Sequence, residues 1–359
     1  AQQRETLVSW AFPVGPRQLA RYPRLAELAG RKSDSNSENR LASRYGPGDL
    51  RDLQVLFVLA HAGEQAWTDE RLVPLFERGS RFSAGDHEQM VQWMRAQPAE
   101  LIDLWRRIGR LNGVEIATSP FAHPIMPLLI DSAVVAASWA PHLPPEVPDF
   151  RHPDDARWQL SEGLSFMREH GFDTVGCWPP EGSVSAEAVA TYGAAGVRWL
   201  VADEGILERS LDRPLRNGDS TLGELYRPWQ LGDDEPVLFF RDRKLSDAIG
   251  FEYGRWEDEA KAAESLSDRL SKIARKLPEK ASIVIALDGE NPWVHFPQGG
   301  GRFLRELFAR LNDSGPELVP ATLGLISETA EPATLDRLHP GSWINSVFAT
   351  LIGHPEKTR

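Results

Sequence analysis

The run Ser282-Ile-Val-Ile-Ala-Leu287 is nearly all apolar and rich in β-branched side chains, and it stops abruptly at Asp288-Gly-Glu-Asn-Pro-Trp293. So short an apolar run suits a buried strand better than a helix. A strand buried on both faces belongs in a parallel sheet covered by helices. What this one delivers at its C-terminal end is two carboxylates, an amide and an indole, with His295 two residues past Trp293. An α/β barrel assembles its site in this way, from side chains at the C-terminal ends of its strands. The plainer reading is a strand followed by a polar turn, since Asp-Gly is ordinary turn chemistry.

A second stretch has the same design. In Phe172-Asp-Thr-Val-Gly-Cys-Trp-Pro-Pro-Glu181-Gly182 a strand over 174–178 runs into two prolines and a carboxylate, and a helix starts at about Ser185. Pro179 and Pro180 cannot continue a ladder and have fixed φ, so the loop that carries Glu181 is expected to be stiff. Stiffness serves a catalytic carboxylate, because a misplacement of about 1 Å is expensive; the competing reading is a helix-capping acid. Two aromatic-flanked carboxylates at the ends of separate strands suggest glycosidic chemistry, where one acid attacks the sugar and the other protonates the leaving oxygen. The chain holds 12 Trp against 5 Tyr, and indoles stack well on pyranose faces.

The rest of the chain alternates. Residues 1–48 read as a loop-rich segment, with Lys32-Ser-Asp-Ser-Asn-Ser-Glu-Asn39 a solvated loop. Helical patterns begin near Asp49, Ala84 and Leu101, and a strand covers 114–118. Pro153-Asp-Asp opens a helix with a buried stripe Leu160, Leu164, Met167. Strand 174–178 is followed by helix 185–195 and strands 198–202 and 237–240. Helix 257–276, strand 282–287, helix 301–312 and a short strand at 321–325 complete the series. Alternation of this kind means parallel strands with crossover helices. The expected fold class is α/β, a (β/α)7-type incomplete TIM-like barrel with additional helices. Its catalytic domain is read as 49–330, and 331–359 as the start of a C-terminal helical region.

Three ordered motifs give a family resemblance. Gly113-Val-Glu115-Ile-Ala-Thr-Ser-Pro-Phe-Ala-His123-Pro-Ile-Met-Pro-Leu128, Trp178-Pro-Pro-Glu181 and Leu287-Asp288-Gly-Glu-Asn-Pro-Trp293 resemble the second, third and fourth motif regions of glycoside hydrolase family 57. His339-Pro-Gly-Ser-Trp343-Ile-Asn345 and Ile352-Gly-His-Pro-Glu356 are similar to its bacterial amylase-like branch. The resemblance implies a retaining enzyme of α-glucans, either hydrolase or transglycosylase, with Glu181 as nucleophile and Asp288 as general acid/base. As proton donor Asp288 needs a raised pKa, which the apolar strand behind it could supply. Glu115 and His123 are then expected to bond sugar hydroxyls. Trp178, Trp293 and His295 are expected to wall subsites, with Glu290 behind the acids. Asp203, on the same rim after strand 198–202, and Trp343 complete the expected substrate-binding set. The family's opening His-Gln-Pro motif is not in this sequence, and the expectation is a fragment clipped at both ends or a member that lost its first strand.

Composition narrows the alternatives. A net charge of −12 opposes nucleic acid as a partner and suits a neutral glucan. The single Cys177 excludes an internal disulfide. No apolar stretch reaches the roughly 20 residues of a membrane span, so the expected location is cytoplasmic. No cofactor or metal is expected: the His-Pro pairs at His123, His152, His339 and His354 share no ligand spacing. A zinc-dependent α-mannosidase or deacetylase-like barrel would need such a cluster. A glucan-binding relic without turnover is the remaining alternative.

Overall fold

The computed structural model describes residues 15–33, 44–139, 147–290, 292–297 and 299–353. Most of the loop expected at 32–39, Asn291 and the His354-Pro-Glu356 end of the last motif lie outside the described residues. The chain forms two compact units. One comprises Ala1–Trp105, Gly254–Glu259 and Pro292–Leu304; the other comprises Arg106–Tyr253, Ala260–Asn291 and Arg305–Arg359.

The first unit is helical. It holds α1 (Pro16–Arg21), α2 (Pro23–Ser33), α3 (Pro47–His61) and α4 (Val73–Arg78), and α5 (Ala84–Ile108) begins in it. Proline opens α1 and α3, where a missing N–H costs nothing. Leu25 and Leu28 of α2 pack with Leu53, Leu56 and Leu59 of α3, all essentially solvent-free. The hydroxyls of Tyr22 and Tyr45 donate to the carbonyls of Leu59 and Leu28 at 3.0 and 2.9 Å. The loop-rich reading of residues 1–48 is therefore corrected for 16–33. A short helix with one buried pair carries too little periodicity to stand out from a polar sequence. The helical patterns near Ala84 and Leu101 are one helix of 25 residues, with Pro98 inside it.

The second unit is built on a five-stranded sheet of order β1-β2-β4-β3-β5. The strands are β1 (Gly176–Cys177), β2 (Trp199–Asp203), β3 (Trp229–Gln230), β4 (Val237–Arg241) and β5 (Ala333–Thr334). β1, β2 and β4 are parallel, as the strand–helix alternation requires, with Trp199 opposite Val237 and Asp203 opposite Arg241. Thr118 bridges Cys177 and Val284 bridges Arg241, both in parallel, so five successive segments run the same way. The sheet is open among the described residues, as an incomplete barrel would be.

Side chains alternate across it. Leu200, Ala202, Leu238 and Phe240 join Leu160, Val189 and Tyr192 in the larger core on one face. Helices α6 (Pro153–Glu169) and α7 (Ala186–Ala194) contribute Leu160, Leu164, Val189 and Tyr192 to it. Trp199, Val201, Val237, Phe239 and Val284 make a second cluster on the opposite face, with Trp178 and Ala286 packed against it. Gly176 makes this possible, since a Cβ there would sit 1.8 Å from the Trp199 ring.

Three expected strands differ. At 321–325 the chain turns into a helix, α8 (Leu323–Thr329), started by Thr322, whose hydroxyl accepts from the N–H of Leu325 at 3.3 Å. The stretches 114–118 and 282–287 reduce to single bridges at Thr118 and Val284. Ala286, in the second, bonds side chains instead: its N–H donates to Ser246 Oγ at 3.2 Å. No helix occurs among the described residues of 331–359, which hold β5 and turns.

Candidate active site

The C-terminal ends of β2 and β4 carry the buried carboxylates of the second unit, Asp203, Glu204 and Asp242, together with Arg241. Beyond β1, Trp178 and Pro179 lead into the tight turn Pro180–Gly182. There Glu181 has φ 54° and ψ 27°, and Gly182 follows at φ 55°. A left-handed residue other than glycine costs about 1–2 kcal/mol, and such strain persists only where the surroundings impose it. The surroundings are visible: Gly182 N–H donates to Pro179 O at 2.8 Å and Ser183 N–H to Pro180 O at 3.0 Å. Both prolines are buried. Glu181 itself is half-buried.

The partner of this turn is Trp343. Its main-chain N–H donates to the Glu181 carbonyl at 3.0 Å, and its indole Nε1 donates to Glu181 Oε2 at 2.9 Å. One face of Gly182 lies against Trp343, 3.2 Å from where a Cβ would stand to the Trp343 Cβ. Trp178 meets Trp343 edge to face, with centroids 5.6 Å apart. The loop that presents Trp343 is pinned to Val184 through paired backbone bonds with Gly341 of 2.9 and 3.0 Å. It is closed by His339, whose Nε2 donates to Ser346 O at 2.9 Å. Burial lowers the His339 pKa below its ordinary value, so it is neutral at pH 7.

Beyond β2 and β4 lies a buried ion network. Asp203 is solvent-free; it caps helix α9 (Glu204–Leu211) through Gly205 N–H at 2.9 Å and accepts from Arg241 Nε at 2.8 Å and from Arg243. Glu204 takes Arg216 as a two-pronged partner, and Arg216 also reaches Asp242 at 2.8 Å. Tyr226 Oη donates to Asp242 at 2.6 Å. Burial and then the Asp242 charge push the Tyr226 phenol far up, so it stays a donor at any physiological pH. Burial pulls Arg216 down, but Glu204 and Asp242 together outweigh it and hold its pKa above the usual arginine value. Asp203, Glu204 and Asp242 thus face Arg241, Arg243 and Arg216, and Arg241 also meets the more exposed Asp247 at 3.2 Å.

Asp288 ends the segment that runs beside β4. Ser282 N–H donates to Tyr226 O at 2.7 Å, Val284 O accepts from Asp242 N–H at 2.8 Å, and Ala286 O accepts from Arg241 Nη1 at 3.2 Å. Asp288 is half-buried two residues further on, and Glu290 is exposed.

The structure brings together Glu181, Trp178 and Trp343, and sets Asp203 beneath them through Arg241. Asp203, expected to touch substrate, has both oxygens occupied by arginines and no exposed surface. Glu115 lies toward the N-terminal end of the sheet, where its oxygens accept from Trp199 Nε1 at 2.9 Å and Gly324 N–H at 2.7 Å. Both carboxylates are thus engaged by donors of the protein itself. His123 is exposed at φ 55° in the loop after Thr118, with Ser119 Oγ 3.2 Å from its Nδ1. Trp293 and His295 form a short turn that folds with the first unit, where Arg17 Nη1 donates to His295 O at 2.6 Å. Arg241 was not anticipated, although it ends an apolar run just as Asp288 does. Among the described residues no group of three or more His, Cys, Asp or Glu is placed to hold a metal ion, and no helix is long and apolar enough to cross a membrane.

The sequence profile of glycosyl hydrolase family 57 matches residues 56–335, most of the chain, which therefore belongs to that family. The fold is similar to that of the 4-α-glucanotransferase from Thermococcus litoralis (TM-score 0.50, 21% identity), covering 71% of this chain but 34% of that one. It is also similar to the α-amylase AmyC from Thermotoga maritima (TM-score 0.53, 13% identity), over 96% of this chain and 73% of that one. A branching enzyme from Pyrococcus horikoshii gives a TM-score of 0.57 at 13% identity, over 95% and 69% of the two chains. At such identities the likeness is one of fold. The chain spans about a third of the length of the glucanotransferase. A sequence search of curated proteins finds no match.

Proposed function

We propose that this member of glycosyl hydrolase family 57 is a retaining enzyme of α-glucans, hydrolase or transglycosylase, with Glu181 as nucleophile and Asp288 as general acid/base. The observation that carries this reading is the strained turn at the end of β1. It holds Glu181 left-handed and half-buried, with its carboxylate fixed by the Trp343 indole. Strain of this kind is maintained where a side chain must be aimed. Glu181 attacks the anomeric carbon while Asp288 gives its proton to the leaving oxygen, and Asp288 then takes a proton from water or from an acceptor hydroxyl. Trp178 and Trp343 flank Glu181 as walls for the sugar rings, and the exposed His123 is available to a sugar hydroxyl. Asp203 and Glu115 act as supports.

The test is Glu181→Gln and Asp288→Asn against soluble starch, read as reducing-sugar release and as chain-length redistribution. Glu181→Gln is expected to bind glucan and not turn it over, and azide is expected to restore turnover of an activated substrate to Glu181→Ala with inverted product. If Glu181→Gln keeps more than about a tenth of the wild-type kcat, the nucleophile lies elsewhere.

A further inference from the structure

We infer that Arg241 is the positioning residue that sets both reacting carboxyls, Glu181 through Trp343 and Asp288 through Ala286; the inference rests on the roles proposed above. Arg241 is the last residue of β4, and its side chain is 5% exposed. Its guanidinium has three kinds of neighbour. Nε donates to solvent-free Asp203 at 2.8 Å and Nη1 to Asp247 at 3.2 Å, which hold the group in place. Nη1 also donates to the carbonyl of Ala286 at 3.2 Å, two residues before Asp288. The flat cation stands 4.9 Å from the centre of the Trp343 ring, whose Nε1–H holds Glu181 at 2.9 Å.

Each link has a physical consequence. A cation over an indole draws on the ring's negative face and fixes the ring's orientation. A fixed ring aims its only donor, and that donor fixes one oxygen of Glu181. The segment 285–288 has no ladder of its own, so the bond that Ala286 O accepts from Arg241, with the one its N–H donates to Ser246 Oγ, stands in for one. One planar group thereby spaces two carboxyls that belong to segments 107 residues apart (288 − 181) in the chain. Lysine cannot copy this, because a single ammonium has neither the fork nor the plane.

The experiment uses the whole chain and compares Arg241→Met, Arg241→Lys and Trp343→Phe, with wild type and Glu181→Gln alongside. Each is assayed on maltodextrin and on α-maltosyl fluoride, whose leaving group needs no proton. Arg241→Met is expected to lower kcat on maltodextrin by about 100-fold with KM within about threefold, the pattern of a contact felt in the transition state. Arg241→Lys is expected to recover part of that loss. Trp343→Phe is expected to lose activity on both substrates, and Arg241→Met to lose less on the fluoride than on maltodextrin because only the Glu181 side is then read. Folding is checked by circular dichroism; should Arg241→Met not fold, Arg241→Lys and Trp343→Phe carry the same comparison. A folded Arg241→Met with kcat within about threefold of wild type, or with its whole loss in KM, overturns the inference. If wild type turns over neither substrate, or Glu181→Gln is as active as wild type, the functional reading fails instead, and the two failures are told apart.

Discussion

Replacing Asp203 by Asn separates a buried anchor from a substrate contact. The amide has the carboxylate's shape and is an equally good helix cap, so the bond from Gly205 N–H is kept. What goes is the charge that faces Arg241 and Arg243. Removing one partner of a buried pair costs about 3–5 kcal/mol, because the other charge is left uncompensated. Here the lower end applies. Arg243 is 35% exposed and finds water, and Arg241 keeps Asp247 and Ala286 O, so about 3 kcal/mol is expected. At about 2–4 °C per kcal/mol for a domain of this size, Tm should fall by about 6–12 °C. Differential scanning calorimetry is the assay, since two units can melt in two steps and only the transition of the sheet-bearing unit should move. Kinetics on soluble starch are measured below the melt. A buried anchor lowers kcat and leaves KM nearly unchanged, whereas a sugar contact raises KM. A Tm drop of less than about 2 °C together with a KM raised about tenfold would show that Asp203 meets substrate.

Two further outcomes follow from the same geometry. Gly176→Ala places a Cβ 1.8 Å from a Trp199 ring that is held by Glu115, so urea unfolding should show a loss at or above the top of the usual overpacking range of about 1–3 kcal/mol. Trp199→Leu in the same chain should recover part of it. The folded pKa of His339 lies below its unfolded value of about 6.5, so its contribution is full above that pH and is lost progressively as pH falls from there through the folded pKa. His339→Gln keeps an N–H for Ser346 O, and denaturant unfolding at pH 7.5 and 5.5 should show a smaller difference between the two pH values than wild type.

The parts legible in the sequence are those governed by local periodicity. Val237–Arg241 and Trp199–Asp203 are short apolar runs buried on both faces, and they emerge as central parallel strands. The turn at Pro179, Pro180 and Glu181 is legible because the two prolines have fixed φ and Gly182 tolerates the left-handed backbone that so tight a turn needs. The run at 282–287 has the composition of a strand but pairs only at Val284, because Ser246 and Arg241 side chains take the bonds that a ladder would use. Composition reports burial, and it cannot report which group supplies the hydrogen bond. The helices at 16–33 were missed because Leu25 and Leu28 are paired by a core drawn largely from residues 45–90.

The site shows the same limit more sharply. Glu181 and Asp288 stand out as acids after apolar runs, but Trp343 is 162 positions from Glu181, and Asp203 is 38 from Arg241. Helix and strand periods reach only a few residues, so no spacing rule connects them. The one general rule available, that a charged residue closing a buried strand faces the rim, selects Arg241 along with Asp203 and Asp288. It does not separate those that touch substrate from those that hold them. Burial distinguishes them: Asp203 at 0% and Arg241 at 4% exposure present almost no surface, while Glu181 and Asp288 are half-buried. An apolar set of similar volume often stabilises a protein as well as buried ion pairs do. What it could not do is bond Ala286 O and cover the Trp343 ring from one rigid plane. On the roles proposed above, Arg241 and the Asp203 that anchors it are accounted for by the spacing they give Glu181 and Asp288.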